Sequence, residues 1–431
     1  MHPNLSFDQA PPISVPYRFF LAAPWFGVLA GLLLAWTGGD ALASRWTPEA
    51  LAMVHLIAVG FMLQAMSGAM FQFIPVAVGG NVWRPLAVAN FVQPLLLLGA
   101  LSLVAGFLFS APVLFSAAAA AFLLGIGVFV TVVLLALWRT PATGMTLWTM
   151  RIAVAGLAIA VLLGALLAEG LARGLALPLI ELTNVHLAWG LGGWGLMLVA
   201  AVSYFVVPMF QLTHPYPLRF ARGFGPLLLL LVVIWSALWL GDDLRPAQAM
   251  GLPLALLCAA FAAMTLWLQH TRRRKIDDAT SLYFRVAMIA LLAFAASGAA
   301  MAIQPGLSDD PRASVWLGML AFPGVFVSTI SGMMYKITPF LNWLHLQRLG
   351  APISAVPNMK KMIPGTAMTV QFRLHVLALV LLLAAVWLPA LARVAGLFFA
   401  ASCFWLGWNL ILAMNSYRRF RDQIRASVSR C

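Results

Sequence analysis

The stretch Met53–Pro75, MVHLIAVGFMLQAMSGAMFQFIP, decides the fold, because the chain repeats its plan in two later stretches that close on Pro208 and Pro339. Counted back from the closing proline, position −4 is aromatic, position −7 is small and position −15 is glycine in all three copies. In chain order these residues are Phe71, Tyr204 and Tyr335, then Gly68, Ala201 and Gly332, then Gly60, Gly193 and Gly324. The closing prolines recur at nearly equal intervals, and a fixed period predicts a threefold internal repeat.

The composition is typical of a polytopic membrane protein. Hydrophobic residues make up 63% of the chain and charged residues 9%, with a mean hydropathy of +0.96, whereas soluble domains carry about 25% charged residues. In lipid every backbone polar group must be satisfied internally, which only helices and closed barrels achieve. The long apolar runs lack the period-two alternation of a barrel strand, so the sequence predicts an all-α fold.

Apolar runs of bilayer-spanning length predict twelve transmembrane helices. They cover approximately 17–37, 48–75, 86–108, 112–138, 146–168, 178–208, 223–241, 248–269, 280–304, 312–342, 371–391 and 393–415. Twelve helices over three copies predict a single membrane domain (1–431) of three pseudo-symmetric four-helix repeats. These repeats lie at roughly 14–140, 146–270 and 280–415, and a basic tail follows at 416–431. The three motif helices are then the second, sixth and tenth.

The formal charge of +14 is explained by membrane orientation and not by nucleic-acid binding. Basic residues concentrate in the loops after even-numbered helices, including the run Arg272-Arg273-Arg274-Lys275, and in the tail. This pattern predicts cytoplasmic N- and C-termini, with the lipid bilayer as partner. The tail is expected to lie on lipid headgroups, and residues 343–370 are expected to form an irregular loop. Three cysteines without CxxC spacing argue against a disulfide framework.

Two of the seven histidines, His55 and His186, lie inside motif helices, whereas the other five fall in the N-terminus, loops or helix ends. An imidazole inside a membrane is costly without a partner, so both are candidate site residues. They stand at −20 and −22 in the proline frame, about 200° apart on a helix, and are expected to face different compartments. The matching residues of the third motif helix are Leu317 and Met319.

Each candidate also has an ordinary interpretation. A histidine can simply bond to a neighbouring helix, and glycines such as Gly60 and Gly193 either leave room for a flat group or allow close helix packing. Polar residues of the motif helices can relay protons, but interhelical bonding is the first interpretation. Those residues are Gln64, Gln72, Glu181, Asn184, Ser203 and Tyr204.

Methionine thioethers suit Cu(I), but the 20 methionines are scattered singly and are interpreted as packing residues. Arg18, Arg151 and Arg285, each opening the first helix of a repeat, are interpreted as snorkelling anchors, with the binding of a carboxylate or propionate as the alternative. Lys336 is expected to snorkel to the cytoplasmic interface.

The motif helices resemble those of the catalytic subunit of the haem–copper oxidases. The run 54–75 is similar to the helix that carries a low-spin haem ligand there, and VHLAWGLGGWGLMLVAAVSYFVVP (185–208) is similar to the helix that opens with a copper-ligating histidine. The seventh helix has no histidine, and Leu317 and Met319 replace the H-x-H pair of the tenth. The chain therefore resembles a degenerate, non-catalytic branch such as the NnrS-type membrane haem proteins. The opening run PYRFFLAAPWFGVLAGLLL is also similar to the first helix of that group.

The resemblance implies an inner-membrane protein that binds b-type haem and does not reduce oxygen, although enzymatic activity of another kind is left open. His55 would be an axial ligand and Met319 the sixth ligand, while His186 would ligate a second haem or hold a metal ion such as copper. The expected role lies in nitric oxide, denitrification or respiratory metabolism, within a membrane complex. The alternatives are a cofactor-free permease or channel for copper, protons or a small anion, and an assembly subunit of an oxidase.

Overall fold

The computed structural model describes residues 10–241, 245–272, 278–349 and 356–428. Within these ranges the secondary structure is helical without a strand, and twelve helices are long and apolar enough to cross a membrane. The prediction of an all-α, twelve-helix membrane protein is thus confirmed. The helices are α1 Ser14–Leu42, α2 Pro48–Val78, α3 Pro85–Phe109, α4 Pro112–Arg139, α5 Met145–Arg173, α6 Leu179–Gln211, α7 Leu218–Trp239, α8 Arg245–His270, α9 Ala279–Ile303, α10 Pro311–Gln347, α11 Gly365–Trp387 and α12 Pro389–Ala426.

Three predictions concern residues outside the described ranges. These are the N-terminal histidine (residue 2), most of the basic run that begins at Arg272 (residues 273–275) and the C-terminal cysteine (residue 431). The direction in which the helices cross the membrane stays a prediction, as do the bounds of the three four-helix repeats.

Several predicted boundaries differ from the structure. Helix α10 continues to Gln347 because Leu344 and Leu346 are buried, so the predicted irregular segment at 343–370 starts too early; the next helix also begins sooner, at Gly365. The basic tail continues the last membrane helix, since one continuous helix runs over Ala392–Val428. Tyr417 and Ile424 of that tail are buried against the protein.

Neighbouring helices in the chain pack against each other along most of their length, as in α3–α4, α4–α5, α8–α9 and α11–α12. The longest interface joins the first membrane helix to the last, so α1 and α12 close the bundle. Gly31 and Gly396 make this possible: a Cβ on Gly396 would lie 2.5 Å from the Gly31 carbonyl oxygen, and a Cβ on Gly31 would lie 2.5 Å from the Ala400 nitrogen. Small residues of this kind let two membrane helices approach backbone to backbone.

The three motif helices share a backbone irregularity. Each contains a π-helical segment, Leu56–Met62 in α2, Trp189–Leu196 in α6 and Leu320–Val327 in α10. Every segment begins at position −19 of the proline frame and includes the glycine at −15. A π-segment accommodates one extra residue per turn and occurs frequently at functional sites. The sequence motif therefore corresponds to a recurring local backbone structure.

Interhelical hydrogen bonds fix α1 and α9–α12 to one another. Tyr17 donates to Asn342 Oδ1 at 2.6 Å, and Asn342 donates in turn to the Ala413 carbonyl at 2.8 Å. Asn409 donates to the hydroxyl of Tyr335, the aromatic residue at −4, at 2.8 Å. Further bonds of this network are Thr280 to Gly332, Tyr283 to Gln371, Gln371 to Ser402 and Ser328 with His375. Polar contacts therefore hold α1 and α9–α12 together.

Replacing Gly396 by alanine is expected to destabilise the protein by about 1–3 kcal/mol, because the added methyl group meets backbone atoms of α1 that cannot move aside. The measurement is the midpoint of thermal unfolding of the purified protein in detergent. Gly127→Ala is the matched control, since nothing lies within 4 Å of its Cβ position on α4. Equal midpoints for the two variants would contradict the close α1–α12 contact.

Candidate functional site

The N-terminal ends of α2 and α6 lie together. Arg45, in the loop between α1 and α2, donates a hydrogen bond of 2.9 Å to Asn184 Oδ1 near the start of α6. His186 lies two residues after Asn184, and His55 lies ten residues after Arg45. The structure therefore brings the two predicted histidines into one region, even though they belong to different copies of the sequence repeat.

His55 is the last α-helical residue before the π-segment of α2. Its Nδ1 lies 2.7 Å from the carbonyl oxygen of Leu51, and its ring stacks on Phe107 of α3 with centroids 5.2 Å apart. A carbonyl oxygen can only accept a hydrogen bond, so Nδ1 carries the proton and Nε2 carries the free lone pair. This is the tautomer that ligating histidines adopt when a backbone carbonyl orients the ring.

His186 has the same arrangement with different neighbours. Its Nδ1 lies 2.9 Å from the carbonyl oxygen of Ala160 on α5. Gly164 leaves room for the imidazole, because a Cβ there would lie 2.9 Å from His186 Cε1. The rings of the two histidines thus contact different helices, α3 for His55 and α5 for His186, while the expectation that they face different compartments stays a prediction.

The donor set around these histidines is small. Among the described residues no group of three or more His, Cys, Asp or Glu side chains could hold a metal ion, whereas structural zinc takes four such ligands. Haem iron needs only one or two axial ligands from the protein. The roles of His55 and His186 as ligands of haem or of a metal ion stay predictions.

Met319 occupies the −20 position of α10, directly before the π-segment Leu320–Val327. It is partly buried and packs against the hydrophobic core. The π-segments of α2 and α10 are in contact, which places the two helices side by side at this depth. The role of Met319 as sixth ligand stays a prediction.

The glycines at −15 lie in close helix contacts. A Cβ on Gly60 would lie 2.3 Å from the ring of Phe26 on α1. Gly193 faces Gly156 on α5, where an added Cβ would lie 2.3 Å from the Gly193 carbonyl oxygen. Of the two interpretations of these glycines, the contacts favour helix packing over a slot for a flat group. A bound haem would therefore lie beside other residues of α2 and α6, not against these glycines.

A cavity of about 120 Å³ lies between the three motif helices, well away from the histidines. It is lined by the C-terminal halves of α2, α6 and α10, within 65–77, 198–210 and 329–340. The lining begins at −10 in the proline frame of each helix, some ten residues or about 15 Å from His55 along α2. Gln72, Ser203 and Thr329 contribute one polar side chain from each helix.

Several polar residues of the motif helices do not bond neighbouring helices. Gln64 and Gln72 are almost fully buried, yet no atom of either side-chain amide has a hydrogen-bond partner within the described part of the chain. The same holds for the hydroxyl groups of Ser67, Tyr204, Thr329, Ser331 and Thr338. The interpretation of Gln64 and Gln72 as interhelical bonding residues is therefore wrong, while Asn184 does fit it through Arg45.

The basic residues near the C-terminal ends of the motif helices bind neighbouring helices. Arg18 donates to Asn90 on α3, and Arg151 donates to the Leu137 carbonyl at the end of α4 at 2.6 Å. Lys336, expected to snorkel, forms an ion pair with Asp278 at 3.1 Å. Cations at the carbonyl end of a helix are favourable, so Arg151 is explained structurally.

The chain matches no protein-family model and no curated protein. The resemblance of the motif helices to the haem–copper oxidases thus stays a prediction from the residues themselves.

Gly60→Ala is expected to lower the thermal unfolding midpoint by an amount that corresponds to about 1–3 kcal/mol, because the methyl group would overlap the Phe26 ring. Gly190→Ala is the matched control, since it lies in the π-segment of α6 with nothing within 4 Å of its Cβ position. If Gly60→Ala leaves stability unchanged, Gly60 faces open space and the interpretation as a slot for a flat group is restored.

Proposed function

We propose that this protein is an integral membrane haem protein in which Nε2 of His55 is an axial ligand of a b-type haem at the N-terminal ends of α2 and α6. The observation that carries the proposal is the pair of intramembrane imidazoles, each with Nδ1 against a backbone carbonyl, Leu51 or Ala160. Within the described residues, no hydrogen bond is formed by either Nε2.

The physical reason is the cost of a polar group in an apolar surrounding. An imidazole at membrane depth is costly unless it has a partner, so an intramembrane histidine is by default functional. The carbonyl of Leu51 fixes the ring of His55 and raises its basicity toward a metal. Bound haem would supply one-electron chemistry and a site for small diatomic ligands.

Arg45 suits a carboxylate of such a haem. Its guanidinium is half-buried beside the start of α6, held by Asn184, and arginine keeps its charge in proteins. A haem carries two carboxylates, and a cation of this kind stabilises a carboxylate through charge-assisted hydrogen bonds. In this proposal His186 would ligate the same group or a second one.

The physiological setting follows from the resemblance. We place the protein in nitric oxide, denitrification or respiratory metabolism of the inner membrane, in contact with a membrane complex. Oxygen reduction by the oxidase mechanism is not proposed, because α7 (Leu218–Trp239) has no histidine, and Leu317 and Met319 occupy the positions of two ligands.

A channel or permease without cofactor is the second candidate, favoured by the cavity between the motif helices and by the unpartnered amides of Gln64 and Gln72. Unpartnered buried amides are typical of positions that water occupies. Flux of copper, protons or a small anion into proteoliposomes that contain the haem-free protein would favour this candidate over the first.

The haem proposal predicts an α-band of b-type haem in the reduced-minus-oxidised spectrum of the purified protein, after expression with added haem precursor. His55→Ala is expected to abolish the band, because it removes the Nε2 ligand. The matched control is His375→Gln, since His375 is fully buried but its Nε2 already bonds Ser328 Oγ at 2.8 Å. This control should retain the band.

Two results would overturn this proposal. A wild-type protein without the band, even after reconstitution with haem, would exclude haem binding. A band that survives His55→Ala would show that another residue is the ligand, and His186→Ala then tests the second histidine. Elution of each variant by gel filtration establishes that it is folded.

A further inference from the structure

The cavity between the motif helices concentrates methionine side chains. Five of its 24 lining residues are methionine, although the whole chain has 20 methionines among 431 residues. They are Met66 and Met70 of α2, Met209 of α6, and Met333 and Met334 of α10. Residues that are scattered along the sequence are thus gathered from three helices around one space.

Two of these thioethers stand at the same height. Met70 and Met334 both occupy position −5 in the proline frame of their helix, and Ser203 holds the same position on α6. Their exposed fractions are 1%, 2% and 1%. The repeat therefore places two sulfur atoms and one hydroxyl group at equivalent positions of three helices that line one cavity.

The cavity also borders polar atoms that need a partner. Gln72 and Thr329 line it, each with an exposed fraction of 5%, and their side-chain polar atoms form no hydrogen bond within the described residues. Since an unpartnered buried polar group costs about 1–3 kcal/mol, these residues indicate that the cavity holds a polar occupant.

The side chains that line the cavity indicate which kind of ion it would bind. Soft thioether ligands favour Cu(I), whereas hard cations such as Ca²⁺ and Mg²⁺ require several oxygen ligands, usually with carboxylates. The lining contains no carboxylate and no imidazole among the described residues, so a divalent ion would leave two uncompensated charges in an apolar surrounding. Cu(I) is both soft enough for thioether ligands and singly charged, so it fits this lining.

We propose that this cavity is a binding site for Cu(I), with the sulfur atoms of Met70 and Met334 as ligands and the hydroxyl of Ser203 beside them. Met66 lies one helical turn before Met70, on the same face of α2, and Met333 adjoins Met334, so further thioethers are available at the same cavity. This site is separate from the histidines of the proposed haem site.

The test is an anaerobic titration of the full chain, purified in detergent, with Cu(I) in competition with a chromophoric Cu(I) chelator. Wild type is expected to bind one equivalent at the cavity. Met70→Leu/Met334→Leu should weaken this binding at least tenfold, while the volume-conserving change keeps the fold. The matched control is Met150→Leu/Met288→Leu, two fully buried methionines on α5 and α9 that do not line the cavity.

Two further measurements separate the thioethers from the histidines. The variant His55→Ala/His186→Ala should keep the Cu(I) affinity even if it loses haem. Binding should also be unchanged between about pH 8 and about pH 5.5, because thioethers do not titrate, whereas imidazole ligands become protonated near pH 6.5.

A third measurement needs no substitution and so does not depend on a variant that folds. Selenomethionine-labelled protein loaded with Cu(I) should show selenium neighbours of copper in its X-ray absorption spectrum. The proposal is overturned if wild type binds no stoichiometric Cu(I), if Met70→Leu/Met334→Leu binds it as tightly as wild type, or if copper has only nitrogen and oxygen neighbours.

Discussion

The structure depends on one constraint: a backbone polar group within lipid must find its partner inside its own segment. This forces the twelve spans to be helical, and it restricts where a helix can depart from regular geometry. The π-segments occur where the helix surface is covered by protein, and in α10 every residue of Leu320–Val327 is buried. Irregular backbone at membrane depth is tolerated only in such an interior position, so the −15 glycines and the π-segments mark the inner faces of α2, α6 and α10.

Polar side chains in this interior are of two kinds. Some are paired across helices, as in Tyr17 with Asn342 and Asn409 with Tyr335. Others, such as the amides of Gln64 and Gln72 on α2 and the hydroxyl of Thr329 on α10, are without partners among the described residues. Paired groups specify how helices pack, whereas unpartnered groups indicate water, an ion or a ligand. The chemistry of this protein is therefore expected along the motif helices, where these unpartnered groups lie.

The features that hydropathy determines could be predicted from the sequence. The features that depend on contacts between residues distant in the chain could not. Twelve helices follow from hydropathy, and most of their predicted ends lie within a few residues of the structure. The end of α10 was missed because burial of Leu344 and Leu346, which hydropathy does not show, prolongs the helix. The ion pair of Lys336 with Asp278 could not be predicted, because the two residues are distant in the chain. The methionine cavity did carry a signal, since Met70 and Met334 share position −5 of the proline frame, but Ser203 at that position in the second copy breaks the pattern.

The two proposed sites use different donor chemistry at different depths of the same helices. Near the start of α2 the donors are imidazole nitrogens oriented by carbonyl groups, and imidazole suits iron. About ten residues further on, the donors are thioethers, which suit Cu(I) and bind hard ions poorly. Because the nitrogen and sulfur donors lie about 15 Å apart along α2, neither set can complete the coordination of the other. Motif helices that share a sequence plan but differ in a few residues can thus carry two separate sites without a change of fold.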